Sequence, residues 1–217
     1  MLYVFDAYGT LWDITQIRTA VASVIGGAAS SGFLSLWRQK QLEYAFLRTM
    51  MNGYEPFSRV TSDALDYTLD NHQIRLSDRE RQGLLDAWDQ PVPYPDAPEA
   101  LHRLRGHRRA ILSNGDPAML ARGVAHSGLG GYLDAVLSVH AARRYKPHPD
   151  AYQLVLDEMQ HTAADVVFVS ANGWDAAGAA EFGFRTIWIN RGGQAVERLT
   201  ARPWRVVSSL SEAAAAL

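Results

Sequence analysis

Short apolar runs that alternate with helical segments are the feature that most constrains the fold of this chain. An opening run at 2–5 is followed, in the second half, by runs at 109–112, 135–138, 166–169 and 186–189. Helical patterns lie between them, over 97–104, after the start signal Asp116-Pro117, from 150 onward and over 176–182, and Ser211 is expected to cap a last short helix. Four-residue strands that alternate with helices predict a parallel sheet with helices on both faces. We therefore expect an α/β fold with a Rossmann-like three-layer core.

Residues 14–90 interrupt this alternation directly after the first strand. They contain no β-rich run and show helical periodicity, divided by turn signals at Gly26-Gly27, Asn52-Gly53 and Glu55-Pro56. The proline-rich segment 91–95 cannot continue a helix and marks the return to the strand pattern. We expect a core domain formed by residues 1–13 and 91–217, with a helical cap subdomain at 14–90 that closes over the strand ends.

Composition and charge exclude several classes of protein. The formal net charge is −2, so no excess of positive charge points to a nucleic-acid or membrane-surface partner. Cysteine is absent, which excludes disulfides and cysteine nucleophiles and suits the cytoplasm. No apolar stretch approaches the roughly 20 residues of a membrane-spanning helix, and we expect no secretory signal because Met1 leads directly into a strand. The 7 histidines show no metal-ligand spacing. We expect a cytoplasmic protein.

Polar residues capable of chemistry stand directly after the predicted strands. In open α/β sheets, ligands bind in the crevice beyond the carboxyl ends of the strands, so these residues should meet at one edge. The set contains two carboxylates, one lysine, hydroxyls and amides: Asp6, Thr10, Ser113, Asn114, Lys146, Ser170, Asn172 and Asp175. Such a convergence predicts a catalytic site.

Asp6 is the candidate nucleophile of this site. An aspartate with a reference pKa of about 3.9 is ionised at neutral pH, and a nearby Lys146 should keep it so. A strand-end aspartate also commonly caps the turn that follows it, and taken alone Asp6 fits that role better. Because the other polar strand-end residues are expected at the same edge of the sheet, the catalytic role is favoured.

Five strings occur in order between residues 5 and 183 and carry a family resemblance: FDAYGTLWD, LWRQKQLEY, LSNG, YKPHPDAY and SANGWDAAGAAEFG. They resemble the successive motifs of the 2-haloacid dehalogenases, the (S)-2-haloacid family of the haloacid dehalogenase superfamily. The resemblance implies that Asp6 displaces halide from C2 of a small (S)-2-haloalkanoic acid with inversion, forming an aspartyl ester. Water then cleaves the ester and frees an (R)-2-hydroxy acid. The family needs no metal or other cofactor and is often dimeric through its cap helices.

The resemblance also implies a role for each matching residue. Arg38 would bind the halide with Asn114 and Trp174, beside an apolar wall at Phe57. Ser113 and the backbone N–H groups of Ala7 and Tyr8 would bind the substrate carboxylate, with Thr10 and Tyr152 as supporting hydrogen-bonding residues. Asp175, oriented by Lys146 and Asn172 and grouped with Ser170, would position or deprotonate the water. The family often has serine and alanine where Ala171 and Gly173 stand here, so we expect any departure to affect the hydrolytic step.

Several of these residues also have ordinary structural interpretations. Arg38 lies on a helical stripe with Leu34, Leu42 and Ala45, where an arginine either meets an anion or extends to water. Trp174 and Tyr152 are also consistent with packing. Asp175 is well placed to stabilise the first turn of the following helix.

Tyr8 distinguishes this chain from the phosphatases of the superfamily. Those enzymes carry a second aspartate two residues after the nucleophile, which protonates the leaving alcohol, whereas a halide leaves as a stable anion. The loop that helps them hold magnesium keeps only Asp175 here, although a hard dication prefers several oxygen anions. Three alternatives stay open: a hydrolase acting on another small carboxylic acid, a magnesium-dependent phosphatase, and a non-catalytic protein that binds a small acid.

Overall fold

A parallel sheet of six strands forms the centre of the molecule in the computed structural model, which describes residues 1–215. The described part of the chain contains eight strands: β1 (Leu2–Phe5), β2 (Trp12–Asp13), β3 (Val92–Pro93), β4 (Arg108–Ser113), β5 (Ala135–Ser138), β6 (Val166–Ser170), β7 (Arg185–Ile189) and β8 (Arg205–Val207). The main sheet has the order β5-β4-β1-β6-β7-β8, and every neighbouring pair is parallel. All residues of β1 are buried because the strand lies between two others and under helices. The predicted α/β parallel sheet is confirmed.

Five helices alternate with these strands and flank the sheet: α5 (Ala97–Arg103), α6 (Pro117–Ser127), α7 (Pro149–Met159), α8 (Gly173–Phe182) and α9 (Leu210–Ala215). Helix α6 packs against β5, α8 against β6 and β7, and α9 against β7 and β8. A helix follows β4, β5 and β6 before the next strand, a loop without a helix joins β7 to β8, and all strands of the sheet point the same way. Their carboxyl ends therefore meet at one edge of the sheet.

Four helices occupy the segment between β2 and β3: α1 (Thr15–Ile25), α2 (Gly27–Met50), α3 (Phe57–Asn71) and α4 (Asp78–Asp86). The two short strands pair antiparallel, with Trp12 opposite Pro93 and Asp13 opposite Val92. The chain therefore leaves the core and returns to it at one point. None of the helices within residues 1–215 is both long and apolar enough to span a bilayer.

The structure corrects some of the predicted element ends. Helix α8 begins three residues earlier than expected, at Gly173. Helix α9 begins at Leu210, and Ser209 accepts the backbone N–H of Glu212 at 3.1 Å. The prediction that Ser211 caps this helix is therefore wrong, because Ser209 has the cap spacing to Glu212. The short strands β2, β3 and β8 carry no strong apolar signal and were not predicted.

Asp116 caps two helices at once. Its Oδ1 accepts the backbone N–H of Met119 in α6 at 3.1 Å, which confirms the predicted cap, and its Oδ2 accepts that of Ser58 in α3 at 3.0 Å. Burial alone would raise the pKa of Asp116, but the hydrogen bonds from Ser58 and Met119 hold this pKa below its ordinary value. The charged carboxylate therefore joins the core to the first turn of α3.

We expect Asp116→Ala to lower the free energy of unfolding by about 2 kcal/mol, because two helix N-termini lose their cap. Asp116→Asn should lose less, since an amide oxygen still accepts one N–H. The pKa is lowered in the folded protein, so the carboxylate stabilises it above the pKa of the unfolded chain, and this contribution is lost on acidification. Urea denaturation at neutral pH and at about pH 4 measures both effects. Equal stability of the two variants at neutral pH would contradict the double cap.

Candidate active site

The turn after β1 brings Asp6 to the carboxyl edge of the sheet. The backbone N–H of Asp6 still donates to Val169 of β6 at 2.9 Å, and the chain then turns away from the sheet. The carbonyl of Ala7 accepts the N–H groups of Thr10, Leu11 and Trp12, which closes the turn tightly. Gly9 has a φ of 85°, a conformation that glycine adopts without a steric penalty.

Three side chains donate hydrogen bonds to the Asp6 carboxylate. Thr10 Oγ1 and Asn172 Nδ2 donate to Oδ2 at 3.0 and 2.8 Å, and Lys146 Nζ donates to Oδ1 at 2.9 Å. A carboxylate oxygen accepts about two hydrogen bonds, so Oδ2 is saturated while Oδ1 keeps one acceptor position. The prediction brought these four residues together, and the structure places them in direct contact.

Lys146 lies between two carboxylates. Its ammonium donates to Asp175 Oδ2 at 2.7 Å and to the Leu112 carbonyl at 3.1 Å, in addition to Asp6, so all three N–H groups are used. Burial alone would lower the pKa of Lys146, but the charges of Asp175 and Asp6 raise it above its ordinary value. Lys146 is therefore a charged group that orients Asp6.

Asp175 is fully buried behind this lysine. Its Oδ2 accepts from Lys146 and from Ser170 Oγ at 3.0 Å, and its Oδ1 accepts from Tyr152 Oη at 2.8 Å. Burial raises the pKa of Asp175, although the charge of Lys146 opposes the shift. Tyr152, grouped by the resemblance with the substrate-binding residues as a supporting hydrogen-bonding residue, does not line the cavity and donates to Asp175 from α7, which packs on α8.

A small, narrow cavity opens in front of Asp6. Its walls come from the strand ends and from helices α2 and α3: Asp6, Tyr8, Arg38, Leu42, Phe57, Ser113, Asn114, Lys146, Asn172 and Trp174. All of them except Leu42 were predicted site residues. Leu42, Phe57 and the aromatic rings make one side of the cavity apolar, whereas the strand ends supply its charges and hydrogen-bonding groups.

Several hydrogen-bond donors beside Asp6 have no acceptor within residues 1–215. The Oδ1 of Asn114 accepts the N–H of Lys146 at 3.0 Å, which turns its amide N–H₂ group away from that bond. Ser113 Oγ accepts the N–H of Gly115 at 3.2 Å and donates to no protein group in the described chain. The N–H groups of Ala7 and Tyr8 are likewise unused there. The site is therefore rich in donors, as an anionic ligand requires.

Arg38 reaches this cavity from α2. Its guanidinium lies 5.6 Å from the centre of the Trp88 ring and donates to Gln41 Oε1 at 2.5 Å. Glu43 points elsewhere and pairs with Lys40 at 3.0 Å. Burial lowers the pKa of Arg38, and the nearby Asp6 charge opposes the shift. An arginine that is desolvated beside a cavity attracts an anion strongly.

Tyr8 and Trp174 line the cavity and also contact other residues of the protein. The Tyr8 hydroxyl donates to the Trp88 carbonyl at 3.0 Å, and burial raises its pKa above the ordinary value. Trp174 packs edge-on against Phe46, with ring centres 5.1 Å apart. The hydroxyl of Tyr8 is therefore occupied in a neutral hydrogen bond and does not replace a leaving-group acid.

The structure also shows how the chain accommodates Ala171 and Gly173. The backbone N–H of Ala171 donates to Thr10 Oγ1 at 2.8 Å, so this contact needs no side chain at position 171. Gly173 is the first residue of α8, and a Cβ there would come within 2.9 Å of Glu197 Cγ. Both residues therefore fit the loop that carries Asn172.

Besides Leu42, two residues that support the site were not predicted from the sequence. Arg191, in the loop after β7, donates to the carbonyls of Gly9 and Thr10 at 3.1 Å each and lies 3.7 Å over the Tyr94 ring, so it fixes the turn after Asp6. Gln41 is fully buried beside Arg38. Arg191 follows a strand at the same sheet edge, a signal that could have found it.

The side chains around Asp6 do not form a ligand set for a divalent cation. The ammonium of Lys146 occupies the position between Asp6 and Asp175, and Tyr8 supplies no second carboxylate. Elsewhere in residues 1–215, no three His, Asp or Glu side chains are grouped as metal ligands would be. A dication at this edge would lie against a buried positive charge.

Fold and site together define a Rossmann-like α/β enzyme with an aspartate directly after its central strand β1. The family model described as haloacid dehalogenase-like hydrolase matches residues 1–183, and the chain belongs to this family. It is 44% identical over 188 residues to an (S)-2-haloacid dehalogenase of Xanthobacter autotrophicus, covering 87% of this chain and 74% of the relative. Another (S)-2-haloacid dehalogenase, from Pseudomonas sp. strain YL, is 40% identical and covers 94% and 89%. The crystal structure of the L-2-haloacid dehalogenase from X. autotrophicus with chloropropionic acid covalently bound superposes with a TM-score of 0.94 at 37% identity, covering 99% and 96%.

Proposed function

We propose that this chain is an (S)-2-haloacid dehalogenase that converts small (S)-2-haloalkanoic acids into (R)-2-hydroxy acids without a metal. The observation that carries the proposal is the position of Asp6 on the cavity wall, with Oδ1 still able to accept, in a cavity that also holds Arg38. The dehalogenase relatives, and the covalent chloropropionic acid complex of one of them, support the same chemistry. The segment 14–90 acts as the cap, because Arg38, Leu42 and Phe57 enter the cavity from it.

In the first step, Asp6 Oδ1 attacks C2 of the substrate and the halide leaves. Oδ1 is the attacking oxygen because Oδ2 is saturated by Thr10 and Asn172. Negative charge moves from Asp6 to the halide during this step, and Arg38 is the cation that receives it, with the Asn114 amide as a second donor. Preorganised charges of this kind stabilise a transition state more than the ground state.

The substrate carboxylate binds to the donors at the strand ends. Ala7 and Tyr8 follow Asp6 in the chain, and Ser113 ends the neighbouring strand β4. The backbone N–H groups of Ala7 and Tyr8 and the Ser113 hydroxyl have no protein acceptor within residues 1–215. Binding there holds C2 in front of Oδ1 and directs the alkyl group toward Phe57 and the other apolar walls. Such positioning supplies a large part of the rate enhancement.

In the second step, water attacks the carbonyl carbon of the Asp6 ester. Charge then develops on Oδ2, where Thr10 and Asn172 already donate and so serve as an oxyanion hole. The bond from the carbonyl carbon to Oδ1 breaks, so the hydroxy acid leaves with Oδ1 and the water oxygen stays in Asp6. Of the two protons of the attacking water, one passes to Oδ1 of the leaving hydroxy acid and the other is released, which leaves Asp6 ionised again. Asn172 Oδ1 accepts no hydrogen bond within residues 1–215, which leaves a place for that water.

Asp175 orients Lys146 in the free enzyme. Both of its oxygens are engaged by Lys146, Ser170 and Tyr152, and the carboxylate does not line the cavity. Within residues 1–215, Asp175 Oδ1 accepts only from Tyr152, so it can also accept from a water. A rearrangement must first bring the carboxylate to the cavity if Asp175 deprotonates the attacking water as the family resemblance implies. When the ester forms, Asp6 becomes neutral and Lys146 loses one of its two ion-pair partners. Asp175 is then the only carboxylate that still pairs with Lys146 within residues 1–215.

Chloride release from (S)-2-chloropropionate should be unchanged by EDTA, because Asp6 and Asp175 are both paired with Lys146 and no third acidic or histidine side chain in residues 1–215 is grouped with them as a metal ligand. The measurement is chloride release before and after chelation, and after added magnesium. Hydrolysis of p-nitrophenyl phosphate with magnesium serves as the comparison reaction and should be absent. Loss of dehalogenation on chelation with recovery by magnesium would overturn the metal-free mechanism.

The proposal extends to location and assembly. We place the enzyme in the cytoplasm, in accordance with the absence of cysteine. We propose a homodimer formed through the cap helices, where Leu47, Met50, Met51 and Tyr67 are exposed on α2, α3 and the residue that follows α2. Light scattering after size-exclusion chromatography tests the dimer directly.

A further inference from the structure

Gln41 is a fully buried polar residue in an apolar row of α2. The row consists of every fourth residue, Phe33, Trp37, Gln41 and Ala45, and none of the four is exposed. A buried amide is unfavourable unless its hydrogen bonds are satisfied, so its partners indicate its purpose.

The partners of Gln41 fix the orientation of its amide. Thr61 Oγ1 donates its only hydrogen to the Phe57 carbonyl at 2.7 Å, so toward Gln41 it acts as an acceptor. The group that faces it at 2.6 Å must therefore be the Gln41 N–H₂. As a consequence, the Gln41 oxygen Oε1 faces Arg38 Nη1, 2.5 Å away. The hydrogen bonds run in one direction from Arg38 to Phe57, and both of these residues line the cavity.

The partners that hold Arg38 are neutral. They are the Gln41 oxygen and the face of the Trp88 ring, and Arg38 forms no ion pair with any carboxylate in residues 1–215. A carboxylate at the position of Gln41 would hold the guanidinium equally well, but it would also cancel much of its charge. An amide keeps the arginine in place and leaves that charge free to attract an anion.

We propose that Gln41, oriented by Thr61, is a positioning residue that holds Arg38 over the cavity without neutralising it. The departing halide then meets the full charge of Arg38. The inference rests on the proposed function, in which Arg38 receives the halide. It goes further by assigning the strength of the halide site to a neutral hydrogen-bonded network rather than to Arg38 alone.

The first test is Gln41→Glu, which keeps the size of the side chain and adds a charge beside Arg38. We expect the inhibition constant for bromide, measured at constant ionic strength with gluconate as the balancing anion, to rise by about tenfold or more. The kcat for (S)-2-chloropropionate should fall with it. The new ion pair with Arg38 offsets part of the stability lost when Thr61 Oγ1 no longer receives an N–H from position 41, so the melting temperature should fall only modestly. Gln16→Glu adds the same charge at an exposed position of α1 and should leave bromide inhibition unchanged.

The second test removes the orientation and adds no charge. In Thr61→Val the amide of Gln41 loses the acceptor that fixes it, so Arg38 is held less firmly and bromide inhibition should weaken by about threefold or more. Thr61→Ser keeps the hydroxyl and should restore the wild-type value. This pair gives a result even if Gln41→Glu does not fold.

These outcomes separate the inference from the proposed function. If the wild type releases chloride but Gln41→Glu and Thr61→Val bind bromide as tightly as it does, the inference is overturned and the function stands. Reduced stability with unchanged bromide inhibition also overturns it, since Gln41 would then serve packing alone. If the wild type releases no halide from any 2-haloacid, the proposed function itself fails.

Discussion

Asp6→Asn should abolish chloride release from (S)-2-chloropropionate, with a loss of about 10⁴-fold or more in kcat. The neutral amide cannot attack C2 to form the ester, yet it keeps the size of the side chain and can still accept from Thr10 and Asn172. Folding should therefore be preserved, which circular dichroism and thermal unfolding check. Asp13→Asn changes a carboxylate on the same segment that caps α1 at Thr15 and lies outside the cavity, so its kcat should stay close to that of the wild type.

Isotope labelling distinguishes a nucleophile from a residue that only binds. In a single turnover in ¹⁸O-labelled water with enzyme in excess, the heavy oxygen should enter the peptide containing Asp6, and the hydroxy acid should carry the original Asp6 oxygen. This follows because water attacks the carbonyl carbon of the ester and the bond to Oδ1 breaks. Label that appears in the product during the first turnover would mean that water attacks C2 directly, and the ester mechanism would be lost. A purely binding protein would show no label in either place.

The fold was predictable where the signal is local. The apolar runs that became β1 and β6 are buried on both faces, so their sequences contain no polar residues until the strand ends. Asp116 before Pro117 is likewise a local signal, because it marks the start of α6 and its side chain accepts the N–H of Met119, three residues later. Strand β8 has no such signal: two of its three residues are exposed at the edge of the sheet, and it is held by pairing with β7.

The site was predictable to the level of which residues meet, and the family resemblance supplied their roles. The rule that ligands bind at the ends of parallel strands brings Asp6 and Asn172 together without knowledge of distances. The same rule cannot show that Asp175 is fully buried behind Lys146, because this depends on how α7 packs Tyr152 against α8.

The helical segment shows the limit of sequence patterns most clearly. A helical wheel groups Arg38 with Leu34 and Leu42, whereas the fully buried row runs through Trp37 and Gln41. The two rows differ by about one residue around the helix, and only packing against α3 decides between them. The hydrogen bond from Ser58 to Asp116 also depends on packing and not on local sequence, since it joins residues 58 positions apart.

Lys146→Met should be the most destabilising change in the site, lowering the free energy of unfolding by about 3–5 kcal/mol. The substitution keeps an unbranched side chain of similar length but leaves Asp175 buried without its counter-ion. Burial already raises the pKa of Asp175, and loss of Lys146 removes the main opposing charge. A carboxyl whose folded pKa is raised binds its proton more tightly when folded, so the folded state loses stability as the pH rises toward that pKa. The deficit should thus be smaller at about pH 5 than at about pH 8, as urea denaturation can measure.

Adding Asp175→Asn to Lys146→Met separates stability from catalysis. The double variant no longer buries an unpaired charge, so it should recover much of the lost stability at pH 8. It should stay inactive, with chloride release about 10³-fold or more below that of the wild type, because no cation orients Asp6 Oδ1 or stabilises the oxygen that leaves with the product. Lys40→Met, which removes a lysine from the surface pair with Glu43, should change neither property appreciably. Full activity in the double variant would show that Lys146 only neutralises Asp175, and Asp6 would then need no ammonium beside it.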